Sequence, residues 1–143
     1  MRVLLDANIF ISFLLHPARQ SPSSRLIRAA LAGRFTLLLP EALLAEFSDR
    51  ARNKPYLAGR ITAADLEALA AILGAVAETV PALTTPIPAV TRDAKDDYLL
   101  AYAVVGDADF LVTGDADLLA LGEVGNMRIM TPRVFLEWLG GGV

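Results

Sequence analysis

Four acidic positions in this 143-residue chain stand where apolar segments end or where an apolar helix begins. Asp6 closes the run Val3-Leu4-Leu5. Asp115 follows the segment Phe110–Thr113 by two residues. Glu46 sits on a helical pattern, roughly 60° from Leu43 and 100° from Phe47, so it borders the apolar stripe. Asp96 and Asp97 open the segment Tyr-Leu-Leu-Ala-Tyr-Ala-Val-Val, apolar on every face and therefore central, so one of the two acids must point to the interior edge. Carboxylates gathered at an apolar edge repel one another and lose water, and some take up protons unless a cation offsets them. A hard divalent ion such as Mg²⁺, which takes oxygen ligands and keeps waters of its own, is the natural offset. One His and no Cys argue against zinc. Asn8 and Thr113 add neutral oxygens near the same edge.

Each acid also has a local role available. Asp6 could cap a helix starting at Asn8, Asp96 and Asp97 could favour a helix N-terminus through its dipole, Asp115 could cap its own short helix, and Glu46 could be a helix-surface residue. Taken singly, the local roles are the commoner ones; the combination points to a site.

The elements that would position these acids alternate in type. Val3–Leu5, Phe35–Leu39, Asp109–Thr113 and Met127–Met130 read as strands, with a short one over Glu78–Leu83. Helices are predicted over Asn8–Leu15, Pro22 to Ala32 with Ser21 as cap, Pro40 to Asn53, and Thr62 to Ala77 with a Thr62/Asp65 capping box. Further helices are predicted over Lys95–Val105, Asp115–Leu121 and Pro132–Leu139. The alternation predicts an α/β fold: a single domain over residues 1–139, a mostly parallel central sheet flanked by helices, and a disordered tail at 140–143. In such sheets, sites form beyond the carboxyl ends of the strands.

Composition narrows the partners. The chain is 55% hydrophobic and 20% charged, enough for a sizeable core and an apolar face that predicts a homodimer or higher assembly. The absence of Cys removes disulfides, iron–sulfur clusters and thiol nucleophiles. No apolar run is long enough for a membrane span, and Asp6 interrupts the start too early for a secretory leader, so a cytoplasmic protein is expected. Net charge is −3. The cations concentrate in residues 1–60, and eleven of the thirteen are Arg, which suits bidentate phosphate contacts. Arg19, Arg25, Arg28, Arg50, Arg52 and Lys54 are the candidate nucleic-acid contacts, each also readable as solvated surface. His16, at a helix end, is assigned no role, and Asp93 is a loop acid or cap. Phe135 and Trp138 are expected in core or interface.

The motifs carry a family resemblance. Val-Leu-Leu-Asp6-Ala-Asn8, Leu44-Ala45-Glu46-Phe47 and the stretch from Thr91-Arg-Asp-Ala-Lys-Asp96-Asp97 to Thr113-Gly-Asp115-Ala-Asp117-Leu-Leu119 resemble PIN-domain nucleases from about Arg2 to Trp138. They are most similar to the VapC-like toxins of toxin–antitoxin systems. The resemblance implies that Asp6, Glu46, Asp96 and Asp115 bind Mg²⁺ or Mn²⁺ as the catalytic site. It prefers Asp96 to Asp97 because Ala103 then falls seven residues on. Helical geometry alone leaves that choice open. Asn8, Thr113, Asp97 and Asp117 would support the site. The implied activity is RNA phosphodiester hydrolysis by an ion-activated water, leaving a 5′-phosphate, with a cognate antitoxin as protein partner. Alternatives are a non-catalytic PIN-fold module that binds RNA or protein, and an RNA-processing PIN nuclease outside toxin–antitoxin systems. A phosphoacceptor domain would want a late lysine, whereas the only lysines are Lys54 and Lys95.

Overall fold

The computed structural model describes residues 1–16, 20–53, 59–84, 86–89 and 92–140, without the side chains of Phe47, Ala51 and Lys95. Arg19, Lys54 and the tail beyond Gly140 lie outside the described residues. The α/β class holds. The strands are β1 (Arg2–Leu5), β2 (Thr36–Pro40), β3 (Glu78–Val80), β4 (Phe110–Val112), β5 (Glu123–Val124) and β6 (Met127–Met130). The helices are α1 (Ala7–Leu15), α2 (Pro22–Leu31), α3 (Glu41–Asn53), α4 (Ala63–Val76), α5 (Ala94–Val105), α6 (Ala116–Leu121) and α7 (Pro132–Leu139).

The strands form one sheet in the order β3-β2-β1-β4-β6-β5, and every pair is parallel except β5 with β6. Strands buried on both faces read as continuous apolar runs. Val3, Leu4 and Leu5 of β1 and Leu111 and Val112 of β4 are fully buried. From β1 the chain winds outward through β2 to β3, then returns to place β4 on the other side of β1. The winding direction reverses between β1 and β4, so a crevice opens beyond their carboxyl ends.

Caps fix where helices begin. Ser21 accepts a hydrogen bond from the Ser24 amide, with Pro22 at the first helical position. Thr62 and Asp65 make a reciprocal capping box. Thr131 caps α7 from its Oγ1 to the Val134 amide. Phe135 of α7 is fully buried, its ring 5.4 Å from Phe35 and 5.3 Å from Phe110. Trp138 lies 4.7 Å from Phe110 yet stays 47% exposed. His16 caps the C-terminus of α1 through its backbone amide.

Most elements fall within a residue or two of the sequence reading, and the larger differences are these. Strand β3 stops at Val80, and Pro40 closes β2 instead of opening α3. The hairpin of β5 and β6 was not anticipated, because β5 has only two residues and little burial. Its signal is the pair Gly125-Asn126, with Gly125 at φ 59°, between Val124 and Met127. No described helix is long and apolar enough to cross a membrane.

Candidate active site

Asp6 and Asp115 reach the same edge because β1 and β4 are parallel neighbours, with Leu5 opposite Val112. The Asp6 amide donates to Val112 O at 3.0 Å, which carries the ladder one residue past the strand. Each carboxylate then does two jobs with different surfaces. Asp6 caps α1, its Oδ1 accepting from the Asn8 amide at 3.3 Å, while its Oδ2 accepts from Thr113 Oγ1 at 2.7 Å. Asp115 caps α6, its Oδ1 accepting from the amides of Asp117 and Leu118 at 2.9 and 3.1 Å. Thr113, fully buried, ties the two together: its Oγ1 also accepts from the Asp115 amide at 3.0 Å. The local and the functional roles therefore coincide at these residues.

Glu46 comes from α3, which packs against α1. It forms an ion pair with Arg50 one turn on, Nη2 to Oε1 at 2.6 Å, and the same guanidinium donates through Nη1 to Asn8 Oδ1 at 2.6 Å. Arg50 therefore lies inside the acidic site, tethered to two of its members.

The structure separates Asp96 from Asp97, although both are in the first turn of α5 and both are buried. Asp96 faces the acidic cavity. Asp97 lines an apolar cleft with Leu83, Ile87, Leu100 and Val104 on another side of the helix. Asp97 is thus placed away from the site it was expected to support. A helix apolar all round offers no stripe by which sequence could have told the two apart.

Asp6, Asn8, Glu46, Asp96 and Asp115 line one cavity of about 530 Å³ together with Asp49, Arg50, Asn53, Asp93 and Leu99. The four acids singled out from the sequence are thus brought together. Asp96 and Asp115 also form a cluster with Asp117, in which one carboxylate oxygen from each lies within 4.8 Å of the others. Asp117 also pairs with Arg92 at 2.6 Å. Asp6 and Glu46 stand on the cavity wall around that cluster.

Electrostatics single out Asp96. Its Oδ2 is buried without a hydrogen-bond partner. Burial, then the charges of Asp115 and Asp93, a hydrogen bond to Asp115 and the charge of Asp6 push its carboxyl up to about 6. Two neighbouring carboxylates can share a hydrogen bond only if one holds a proton. Six acids and one Arg line the described cavity. A buried orphan oxygen, an excess of negative charge and an all-oxygen donor set fit a hard divalent cation.

Among the described residues, the expected nucleic-acid contacts are divided between different places. Arg50 is in the acidic cavity, and Arg25 lines a different groove between α2 and α7. Arg28 is exposed on α2; Arg52 is exposed on α3 and paired with Asp49 at 3.5 Å. Arg34 and Arg133, which the sequence reading did not single out, line the groove with Arg25.

The family model described as PIN domain matches residues 2–117. The chain belongs to the PIN-domain family. PIN domains are nucleases that generally use divalent metals, in keeping with the acidic cluster. Among solved structures the fold is similar to a chain in the crystal structure of VapBC2 from Rickettsia felis bound to a DNA fragment from their promoter. The match covers 92% of this PIN domain chain and 98% of that one, with a TM-score of 0.58 at 14% identity. At that identity the likeness is one of fold. No curated protein matches the chain.

Proposed function

We propose that this PIN domain, spanning residues 1–139, is a metal-dependent endoribonuclease of the cytoplasm that cleaves RNA phosphodiester bonds. The observation that carries the reading is the cavity where Asp6, Glu46, Asp96 and Asp115 converge around a buried, unpartnered Asp96 oxygen. Asp96, Asp115 and Asp6 would hold one or two Mg²⁺ or Mn²⁺ ions, with Glu46 and Asp117 at the margins. Bound there, a divalent ion acidifies water and offsets charge on the phosphodiester. The chain's own residues do the rest. Thr113 orients Asp6 and the Asp115 backbone, and the helix caps lock both carboxylates in one rotamer. The crowding that raises the Asp96 carboxyl, by burial first and then by Asp115, Asp93 and Asp6, is the charge excess that a bound cation would offset. The described lining contains no Ser, Thr, Cys, His or Lys, so water is the nucleophile this set can serve.

The likeness in fold to a VapBC2 chain supports a toxin paired with a cognate antitoxin. The apolar cleft beside Val104 and Val105, both exposed, supports a homodimer, which the mass in solution would test. The decisive assay incubates single-stranded RNA with the protein in Mg²⁺ or Mn²⁺, with and without chelator. Cleavage is expected with the ion and is expected to vanish in chelator and in Asp6→Asn combined with Asp96→Asn. Cleavage that survives either treatment refutes the mechanism; divalent binding without cleavage of any RNA refutes the nuclease assignment. For the toxin role, expression should halt growth unless a small neighbouring protein is co-expressed.

A further inference from the structure

We propose that the groove between α2 and α7 is a second anion site, separate from the acidic cavity, that grips the phosphate backbone of RNA. The groove encloses about 730 Å³ and is lined by Arg25, Arg34 and Arg133 with Gln20, Leu136 and Glu137. It shares no lining residue with the acidic cavity. Arg25 lies near the start of α2, Arg34 in the turn beyond its end, and Arg133 in the first turn of α7; the two helices pack on each other. Residues distant in sequence thus face one trough.

Three guanidinium groups with no acid partner among the described residues meet in this groove. Among the described residues, Arg2, Arg50, Arg52, Arg92 and Arg128 each pair with an acid. Arg25, Arg34 and Arg133 pair with none; Arg34 makes only a long bond, 3.4 Å, to Leu139 O. Glu137 is the sole acid in the described lining. Three guanidinium groups against one carboxylate leave a surplus of positive charge in a chain whose net charge is −3.

The shape favours a polyanion over a small ion. Helix α2 has ten residues and is about 15 Å long. Cations on the helix, beyond its end and on α7 offer several attachment points along one trough, which suits successive phosphates. The guanidinium fork matches phosphate oxygens bidentately. The proposal rests on the nuclease reading in one respect, the choice of RNA. A cavity lined by six acids repels a nucleic-acid backbone, so the affinity for substrate must come from cations elsewhere on the surface.

The test is fluorescence anisotropy of a short labelled single-stranded RNA, titrated over a salt series with chelator present. In wild type, affinity should fall steeply with salt. Each phosphate contact on a single strand contributes about 0.7 to the slope of log K against log salt, so Arg25→Gln/Arg34→Gln/Arg133→Gln should lower the slope by about 2. At about 0.1 M salt that corresponds to a roughly hundredfold loss of affinity. Should the triple variant fail to fold, Arg25→Gln/Arg133→Gln touches only exposed side chains and should lower the slope by about 1.4. An unchanged slope in a folded variant overturns the proposal. So does displacement of the RNA by poly-glutamate as effectively as by unlabelled RNA, which would assign the groove to an acidic polypeptide. Because binding is read without cleavage, an inactive protein that still shows the expected slope change sinks the nuclease reading alone. An active protein indifferent to the three substitutions sinks the groove alone.

Discussion

Replacing Asp96 by Asn should stabilise this protein when no divalent ion is present. The Asp96 carboxyl is raised to about 6 in the folded protein from an ordinary 3.8, by burial first and then by Asp115 and Asp93. In the unfolded chain the group ionises at the ordinary value. Between the two values the folded state therefore holds more protons than the unfolded state, and stability falls as pH rises through that window. This is the reverse of a salt-bridged carboxylate: the penalty is absent below about pH 4 and complete above about pH 6. At about 1.4 kcal/mol per decade the full difference is about 3 kcal/mol, lowered toward 2 where the open side of the cavity admits water. Asn keeps the shape, removes the charge and offers Asp115 an N–H donor. The variant should gain about 2–3 kcal/mol at pH 8 in chelator, or roughly 6–10 °C in Tm for a domain of this size.

The assay is urea or thermal unfolding of both proteins at pH 4 and pH 8, in chelator and in excess Mg²⁺. The gain should shrink to near zero at pH 4, where wild type is protonated. In Mg²⁺ the order should reverse, because an ion bound only by the folded wild type adds RT ln(1 + [L]/Kd) to its stability, and the variant binds poorly. An Asn variant that is neutral or less stable at pH 8 in chelator refutes the reasoning. A gain of equal size at pH 4 refutes it too, since packing and not charge would then be the cause.

Arg50→Gln should raise the affinity for Mg²⁺ about fivefold by calorimetry, because guanidinium and ion compete for Glu46 Oε1, and a half-buried charge-assisted pair is worth about 1 kcal/mol; weaker binding would show that Arg50 supports the ion. Thr113→Val removes the hydroxyl that donates to Asp6 and accepts from the Asp115 amide, and should cost about 2 kcal/mol in urea unfolding, with Thr113→Ser recovering most of it. Gly106→Ala should cost about 1–3 kcal/mol by the same measurement, since a Cβ there would stand 3.0 Å from Tyr102 O and 3.1 Å from Leu38 Cδ1. That backbone is also held from outside, with Arg2 Nε and Nη2 both donating to Gly106 O.

What the sequence made legible was whatever leaves a one-dimensional mark. Val3–Leu5 of β1 and all of β4 are buried on both faces, so these residues run apolar without a break, and the acids that follow them mark the strand ends. Two-residue β5 leaves almost no pattern. The choice between Asp96 and Asp97 was invisible, because α5 meets neighbours on several sides and only the packed structure decides which side holds the acids. The arginine groove was hidden for a related reason. Counting charge along the chain put Arg25 among the cations of the first sixty residues, but Arg133 joins it only because α7 lies on α2. Faces built by two distant helices have no signature in either helix.

The acids teach a further point about how such a site is specified. Weighing a cap against a ligand for Asp6 and Asp115 assumes that one carboxylate serves one purpose. Here Oδ1 of each accepts from helix amides while both residues line the acidic cavity. The cap removes the rotamer freedom that ordering a carboxylate around an ion would otherwise cost, about 0.5–1 kcal/mol per side chain. The helix dipole at each N-terminus also eases the ionised form at the place where several ionised forms are crowded. A strand end followed within three residues by an acidic N-cap is therefore a way to hold negative charge rigidly at a sheet edge, and two adjacent parallel strands that both end this way make the crevice between them anionic before any ion arrives. Asp96 enters from α5, its Oδ2 without a partner and its carboxyl raised. The orphan oxygen and the raised proton affinity share a cause: Asp96 is buried first of all, and the charges of Asp115, Asp93 and Asp6 add to the cost of ionising it there.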